Sequence, residues 1–351
     1  KCFRWFPSDK CFNNHKIATG NLCSPCDTIW KCKECKKNIL WKDHTPDTHI
    51  CGTKKCKNCG QEYTGEHKCY MMPKHIQQPS EKYIYFDFEC DITKSEHIVN
   101  YCVAQYHGNP QSYCFETLEE FCEWAFNAEK HKGYTFIAHN GRGYDFQLVM
   151  KWVYEKTSLK PFAIYAGSKI MTFSVEKEYK IRFLDSLNFL TMKLESFPKT
   201  FGIKELKKGF YPYWFNSTEN MDYVGEMPER KLFTPNKMSV KKRKEFNEWY
   251  DEKIKNNYIW KHREETKTYC ISDVDILRRS CEIFRQLYIE IADIDPFKYT
   301  TIASVCMAIY RANYIIPDYN EMYWDAKEQG KEHLDEFLSW TTEQVFKDKK
   351  I

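Results

Sequence analysis

Apolar and polar residues follow two different periods along this chain, and the changes between them mark out its elements. The run Tyr83-Ile84-Tyr85-Phe86-Asp87-Phe88 is aromatic and β-branched, and it predicts a strand buried on both faces. Further strands are predicted over 97–106, 111–115 and 134–138, with a turn at Gly108-Asn109-Pro110. Helical spacing predicts helices near 117–129 and 144–154. Residues 161–190 read as a β-hairpin running into a turn at Asp185-Ser186; 236–263 is charged and helical, and 265–290 is a second helix. Strands alternating with helices predict an α/β sheet covered by helices. Residues 70–80 hold two prolines and no period, which reads as a linker.

The segment before that linker has a different character. Ten of the seventeen cysteines fall in the first 69 residues. A ligand order repeats there: Cys32-x2-Cys35 with His49-x-Cys51, then Cys56-x2-Cys59 with His67-x-Cys69. Three thiolates and one imidazole make the donor set of a closed tetrahedral structural zinc site. His44 is an alternative to His49. Cys11, His15, Cys23 and Cys26 offer a third, less regular set, in which Cys2 competes with Cys11. Two or three structural Zn²⁺ are therefore expected, supplying folding energy to a stretch too polar to build a core. A disulfide-linked or merely thiol-rich segment is the plainer reading, and the repetition argues against it.

Charge adds a little. Residues 1–80 carry 14 Lys and Arg against 7 Asp and Glu, while the remainder has three more acids than bases. A basic head on a near-neutral body suits a polyanionic partner, although a solvated lysine-rich surface has the same imbalance. No apolar run approaches the roughly 20 residues of a membrane span, and no charged-then-apolar leader follows Lys1. The expectation is a nuclear or cytoplasmic protein, neither secreted nor bound in a membrane.

Three local patterns bring carboxylates to unusual places. Asp87 and Glu89 close the aromatic strand and, two residues apart, point the same way with Phe88 opposite. Two adjacent like charges at the end of an apolar strand need something to neutralise them, and a divalent cation does so directly. His139-Asn140-Gly141-Arg142-Gly143-Tyr144-Asp145 follows a strand and opens a helix, which puts Asp145 in the first helical turn. Tyr269 and Asp273, four apart, share one helix face, with Asp275 off it. Taken singly, each has an ordinary explanation: a solvated strand end, a helix cap, a side-chain hydrogen bond.

In this order, the residues resemble the 3′→5′ exonuclease domain of family B DNA polymerases, the DEDD type with a tyrosine in the third motif. Asp87 and Glu89 match its Asp-x-Glu, Asn140 with Tyr144 and Asp145 its second motif, and Tyr269 with Asp273 its Tyr-x3-Asp. Asp185-Ser186-Leu187-Asn188-Phe189-Leu190 and Lys208-Gly209-Phe210-Tyr211 resemble two motifs of the protein-primed branch, found in certain phages, linear plasmids and Polinton-type elements; Lys207 is an alternative to Lys208. The head resembles zinc-binding extensions that precede such polymerases.

The resemblance implies a ribonuclease-H-like mixed sheet flanked by helices, preceded by small cysteine-rich zinc-binding modules. Its organisation would be a zinc-binding region at 1–72, a linker at 73–80, the exonuclease domain at 81–295 and the start of a polymerase region at 296–351. It implies two Mg²⁺ or Mn²⁺ ions on Asp87, Glu89, Asp145 and Asp273, a water oriented by Tyr269, and Lys208 on the scissile phosphate. Asn140, Tyr144, Ser186 and Leu187 would hold the 3′ end of single-stranded DNA. A terminal priming protein and a polymerase domain are the implied partners.

The motifs of DNA synthesis do not occur, so the expectation is the front part of a polymerase or a stand-alone remnant. Two other readings keep the fold. One is a non-catalytic nucleic-acid-binding or scaffold remnant. The other is a zinc-finger transposase with a ribonuclease-H-like core, whose chemistry wants a final glutamate where this chain has Asp273.

Overall fold

The computed structural model describes residues 5–17, 24, 27–56, 60, 62–67, 75–176, 179–203 and 209–315. The chain divides into two units, Lys74–Tyr314 on one hand and Lys1–Pro73 with Ile315–Ile351 on the other.

The smaller unit contains one short helix, α1 (Asp9–Lys16), capped by the Ser8 hydroxyl on the Cys11 N–H. Two antiparallel ribbons follow: β1 (Ile29–Lys31) with β2 (Asn38–Leu40), and β3 (Lys54–Lys55) with β4 (Glu62–Tyr63). Of its described residues only Ser24 and Cys32 are buried. Two-stranded ribbons with so little buried surface are not stable alone in water.

The larger unit is built on one seven-stranded mixed sheet. Its strands are β5 (Tyr83–Asp91), β6 (Ile98–Tyr106), β7 (Ser112–Phe115), β8 (Thr135–Ala138), β9 (Phe162–Ala166), β10 (Lys169–Val175) and β11 (Ile181–Asp185), in the order β7-β6-β5-β8-β11-β10-β9. The β5–β8 and β8–β11 pairs are parallel and the rest antiparallel. The α/β class expected from the alternation holds.

Three predicted elements differ in detail; the charged helix expected over 236–263 runs only from Val240 to Lys255, and Trp260–Lys261 is a strand. The helix expected over 117–129 is two, α2 (Leu118–Ala125) and α3 (Ala128–His131), because Asn127 caps the second through its side chain on the Lys130 N–H. Residues 161–190 form a three-stranded meander, not a hairpin. The remaining helices are α4 (Asp145–Lys156), α5 (Phe197–Thr200), α6 (Val240–Lys255), α7 (His262–Ala292) and α8 (Ile302–Asn313), with a two-residue ribbon of β12 (Val224–Gly225) and β13 (Trp260–Lys261).

The period-2 alternation of β5 sorts its side chains onto two faces. Ile84, Phe86 and Phe88 pack with Phe121, Phe146 and Val149 of α2 and α4, together with Phe136, Phe173 and Phe183. These last three stack across β8, β11 and β10, with centroids 5.0 and 4.5 Å apart and planes within 16° and 4°. Such rings contribute roughly 1.5–3 kcal/mol each through burial. Tyr83 and Tyr85 turn the other way, against Val274, Leu277 and Cys281 of α7. Residues 296–314 lie in this second core through Phe297, Val305 and Ala308. A third cluster joins Phe233, Phe246, Tyr250 and Trp260 around α6. Among the described residues no helix is long and apolar enough to cross a membrane.

Candidate active site

Asp87 and Glu89 continue the row of β5 that faces α7. One ligand atom each from Asp87, Glu89 and the Cys270 thiol of α7 all lie within 4.8 Å of one another. Glu89 is buried and Asp87 partly so. The Cys270 Sγ is 3.5 Å from the Asp87 carbonyl oxygen. The β5–β6 register shifts immediately after: Glu89 pairs with Tyr101 but Cys90 with Val99, which leaves Asn100 as the extra residue of a bulge.

The next acid of β5 has different surroundings. Asp91 is fully buried, with Oδ1 accepting from the N–H and hydroxyl of Thr93 and Oδ2 from those of Thr218. Burial alone would raise its pKa, but these donors outweigh it and hold the carboxyl at about 2. The alternation Asp87-x-Glu89-x-Asp91 was its only sequence signal, and it could not separate the third acid from the first two.

The second segment is a turn clamped from the neighbouring strand. Asn140 takes a left-handed conformation (φ 64°), which asparagine tolerates, and residues Gly141–Gly143 form a 3-10 turn leading into α4. A Cβ on Gly141 would sit 2.7 Å from Phe146 Cε1 and 3.0 Å from Ala138 Cβ, so only glycine fits. Asp185, beside Ala138 in the β8–β11 ladder, accepts the N–H groups of Asn140 (2.9 Å), Arg142 (3.0 Å) and Leu187 (2.9 Å).

Asp145, the first residue of α4, is buried, and among the described residues no cation lies within ion-pair distance of it. Burial first, then the Asp185 charge, raises its pKa to about 7 against the opposing pull of its own backbone N–H. Tyr144 is half-buried with its ring 5.2 Å from that of His97, and Asn140 is exposed. Leu187 is half-exposed. Ser186, expected to touch DNA, is fully buried with its Oγ 2.9 Å from His139 Nδ1, so in this conformation it braces the turn.

α7 supplies the third pair. Tyr269 and Asp273 share its buried face, at 6% and 1% exposure. The Tyr269 ring stacks on Tyr211 (4.6 Å, 17°) and its hydroxyl is 2.6 Å from that of Tyr213. Burial first, then the Asp273 charge, holds its phenol well above the usual range. A Cβ on Gly209 would lie 3.6 Å from the Tyr269 ring; Lys207 and Lys208 lie outside the described residues. Asp275 is turned away, paired with Arg278 at 2.5 Å.

The acids act on common neighbours. Beyond burial, Asp87, Glu89 and Asp273 all raise the Cys270 thiol, and Asp87 and Asp145 both raise that of Cys102. The sequence offered no reason to single out Cys270 apart from its place beside Tyr269.

In the smaller unit, donor atoms of Cys32, Cys35, His49 and Cys51 also gather within 4.8 Å of one another. Cys32 and Cys51 sulfurs are 3.4 Å apart, and His49 Nε2 is 3.3 Å from Cys35 Sγ and 3.7 Å from Cys51 Sγ. The Cys35 backbone N–H holds the Cys32 thiol below its usual range, while Glu34, hydrogen-bonded to Cys51, pushes that thiol up to about 12. His44 instead faces Glu62. Of the second set, Cys59 and Cys69 lie outside the described residues. So do Cys2, Cys23 and Cys26; Cys11 and His15 stand four apart on α1, with Cys11 exposed.

The chain is similar to known DNA polymerases. A probable DNA polymerase of Neurospora intermedia is 30% identical over 54% of this chain and 20% of its own length. One of Ascobolus immersus is 27% identical over 65% of this chain and 20% of its own length. The chain thus spans about a fifth of these relatives. Phi29 DNA polymerase, complexed with primer-template DNA and incoming nucleotides, aligns over 65% of this chain and 33% of its own, at 15% identity and a TM-score of 0.42. Residues 125–338 match the family model for DNA polymerase type B, organellar and viral, and the chain belongs to that family.

Proposed function

We propose that this chain is the 3′→5′ exonuclease part of a protein-primed family B DNA polymerase, removing nucleotides from the 3′ end of single-stranded DNA. The observation that carries it is the convergence of Asp87 and Glu89 at Cys270 of α7, while Asp145 is buried with no cation within ion-pair distance among the described residues and raised to about 7. Hard carboxylate oxygens in that state fit divalent metal ions such as Mg²⁺ or Mn²⁺. Asp87, Glu89, Asp145 and Asp273 would hold two of them. When bound, such ions lower the pKa of an attacking water and offset charge on the departing 3′ oxygen.

The chain's own residues do the rest. Tyr269 keeps its proton, because its pKa lies well above neutrality, so it orients a water and does not deprotonate it. Asn140, Tyr144 and Leu187 grip the frayed end by stacking and wedging that any base satisfies. Ser186 serves that grip indirectly, by holding His139. Lys208 would contact the scissile phosphate. In the smaller unit Cys32, Cys35, His49 and Cys51 hold a structural Zn²⁺ that replaces the missing core. Cys56, Cys59, His67 and Cys69 hold a second, and Cys11, His15, Cys23 and Cys26 form the candidate third.

The test is the Asp87→Ala/Glu89→Ala double variant assayed with Mg²⁺ on a 5′-labelled single strand. Degradation from the 3′ end falls by at least about 10³-fold, as when transition-state charge stabilisation is removed, while zinc content stays unchanged. Degradation at the wild-type rate would reject the site.

A further inference from the structure

Three acids of this site, Asp87, Glu89 and Asp273, sit on two separate elements, β5 and α7, and a buried polar chain joins the end of that strand to the first turn of that helix. At the start of α7, His262 is fully buried. Its Nδ1 accepts from the Trp260 indole N–H at 3.2 Å. An indole can only donate, so the proton of His262 sits on Nε2, which donates to Asn216 Oδ1 at 3.2 Å. Asn216, 1% exposed, donates from Nδ2 to the Cys90 carbonyl (3.0 Å) and to Asn100 Oδ1 (3.2 Å), and its Oδ1 accepts from Asn100 Nδ2 at 2.8 Å.

Cys90 adjoins Glu89, and Asn100 is the extra residue of the bulge that faces the Glu89–Cys90 step of β5. On the helix, His262, Thr266, Tyr269 and Asp273 follow one another at spacings of four, three and four, a single buried stripe. Thr266 Oγ1 meets the Tyr211 hydroxyl at 2.8 Å, and the Tyr211 ring stacks on both His262 and Tyr269. The stripe is therefore pinned at its first residue to the strand end that carries Glu89.

We infer that Asn216 and His262 are positioning residues that fix the bulge of β5 against the first turn of α7, and so set the spacing between Glu89 and the Tyr269/Asp273 face. Neither touches the reacting atoms. The inference deepens the exonuclease reading and rests on it. Groups that orient metal-holding carboxylates cost about 10–100-fold in metal affinity when removed.

The experiment measures Mn²⁺ binding to the full chain by loss of the free-ion EPR signal, beside cleavage of a labelled single strand. The Asp87→Ala/Glu89→Ala chain sets the background. His262→Leu and Asn216→Ala weaken Mn²⁺ binding about tenfold or more, with the oligonucleotide KM within about twofold. His262→Gln, which restores a donor toward Asn216, stays within about threefold of wild type. His131→Leu is the control for loss of stability alone: His131 is also fully buried, bonded to the Tyr106 hydroxyl and the Trp124 carbonyl, and its loss lowers the melting temperature without moving Mn²⁺ affinity.

Wild-type Mn²⁺ affinity in folded His262→Leu overturns the inference. If that variant does not fold, Asn100→Ser loosens the same link from the strand side, and unchanged affinity there overturns it equally. Mn²⁺ binding that depends on His262, in a chain that cuts no DNA, rejects the exonuclease reading and leaves the positioning role standing. A wild-type chain with no Mn²⁺ binding above background overturns both.

Discussion

Asp185 accepts the backbone N–H of Asn140 across 2.9 Å, so a carboxylate with no metal role expected for it shapes the turn from which Asp145 departs. Its two oxygens take three N–H groups from both sides of the β8–β11 ladder ends. Asp185→Ala leaves those donors without their acceptor and destabilises the larger unit by about 3 kcal/mol. Urea unfolding checks this, and a midpoint equal to wild type would contradict the clamp.

Gly141→Ala places a methyl 2.7 Å from Phe146 Cε1. Phe146 is fully buried and follows Asp145, so relief must come from moving the start of α4. A loss of about 1–3 kcal/mol is expected, together with weaker cleavage. Full stability in this variant would show that the turn yields more easily than its packing indicates.

His262 costs stability on mild acidification, while Asp145, its pKa raised to about 7, acts in the opposite direction over an overlapping window. Burial lowers the His262 pKa from 6.5 to about 4. Between those values His262 binds more protons in the unfolded chain than in the native one, so its contribution to stability rises with pH across the window and is lost as pH drops through it. The full loss attributable to His262 is roughly 3 kcal/mol. Burial lowers His131 in the same direction and raises Asp145 in the opposing one, so His262→Gln removes only its own rise between pH 4 and 6.5 from the wild-type profile. Denaturant midpoints at several pH values measure both profiles; parallel curves would refute the assignment.

Cys35→Ser removes one zinc equivalent per chain, read by elemental analysis of protein purified without chelator. The thermal transition of residues 74–314 stays in place, because that unit has cores of its own. A His44→Ala chain keeps its zinc, since His49 and not His44 joins the thiols. Zinc loss in His44→Ala would reverse that choice.

Much of the site was legible from local pattern. Alternation along 83–89 places Asp87 and Glu89 on one face, and the spacing of four between Tyr269 and Asp273 places those on one stripe, because backbone geometry alone sets both periods. The same period does not distinguish Asp91, which is buried among the donors of Thr93 and Thr218, from Asp87 and Glu89. At Ser186 the local pattern was silent, because a short polar side chain in a turn reads equally well as exposed or as a brace.

The sequence by itself determined the order of strands and helices, the acid-bearing motifs and the repeated ligand order of the head, all properties of neighbours along the chain. Only the tertiary structure decided that Cys270 sits between the acids, that Asp185 clamps a turn 45 residues before it, that His49 completes the thiol cluster, and that Asn216 ties β5 to α7. Those relationships depend on which distant surfaces pack together, and packing is decided by the shape and burial of whole faces, which no local period encodes.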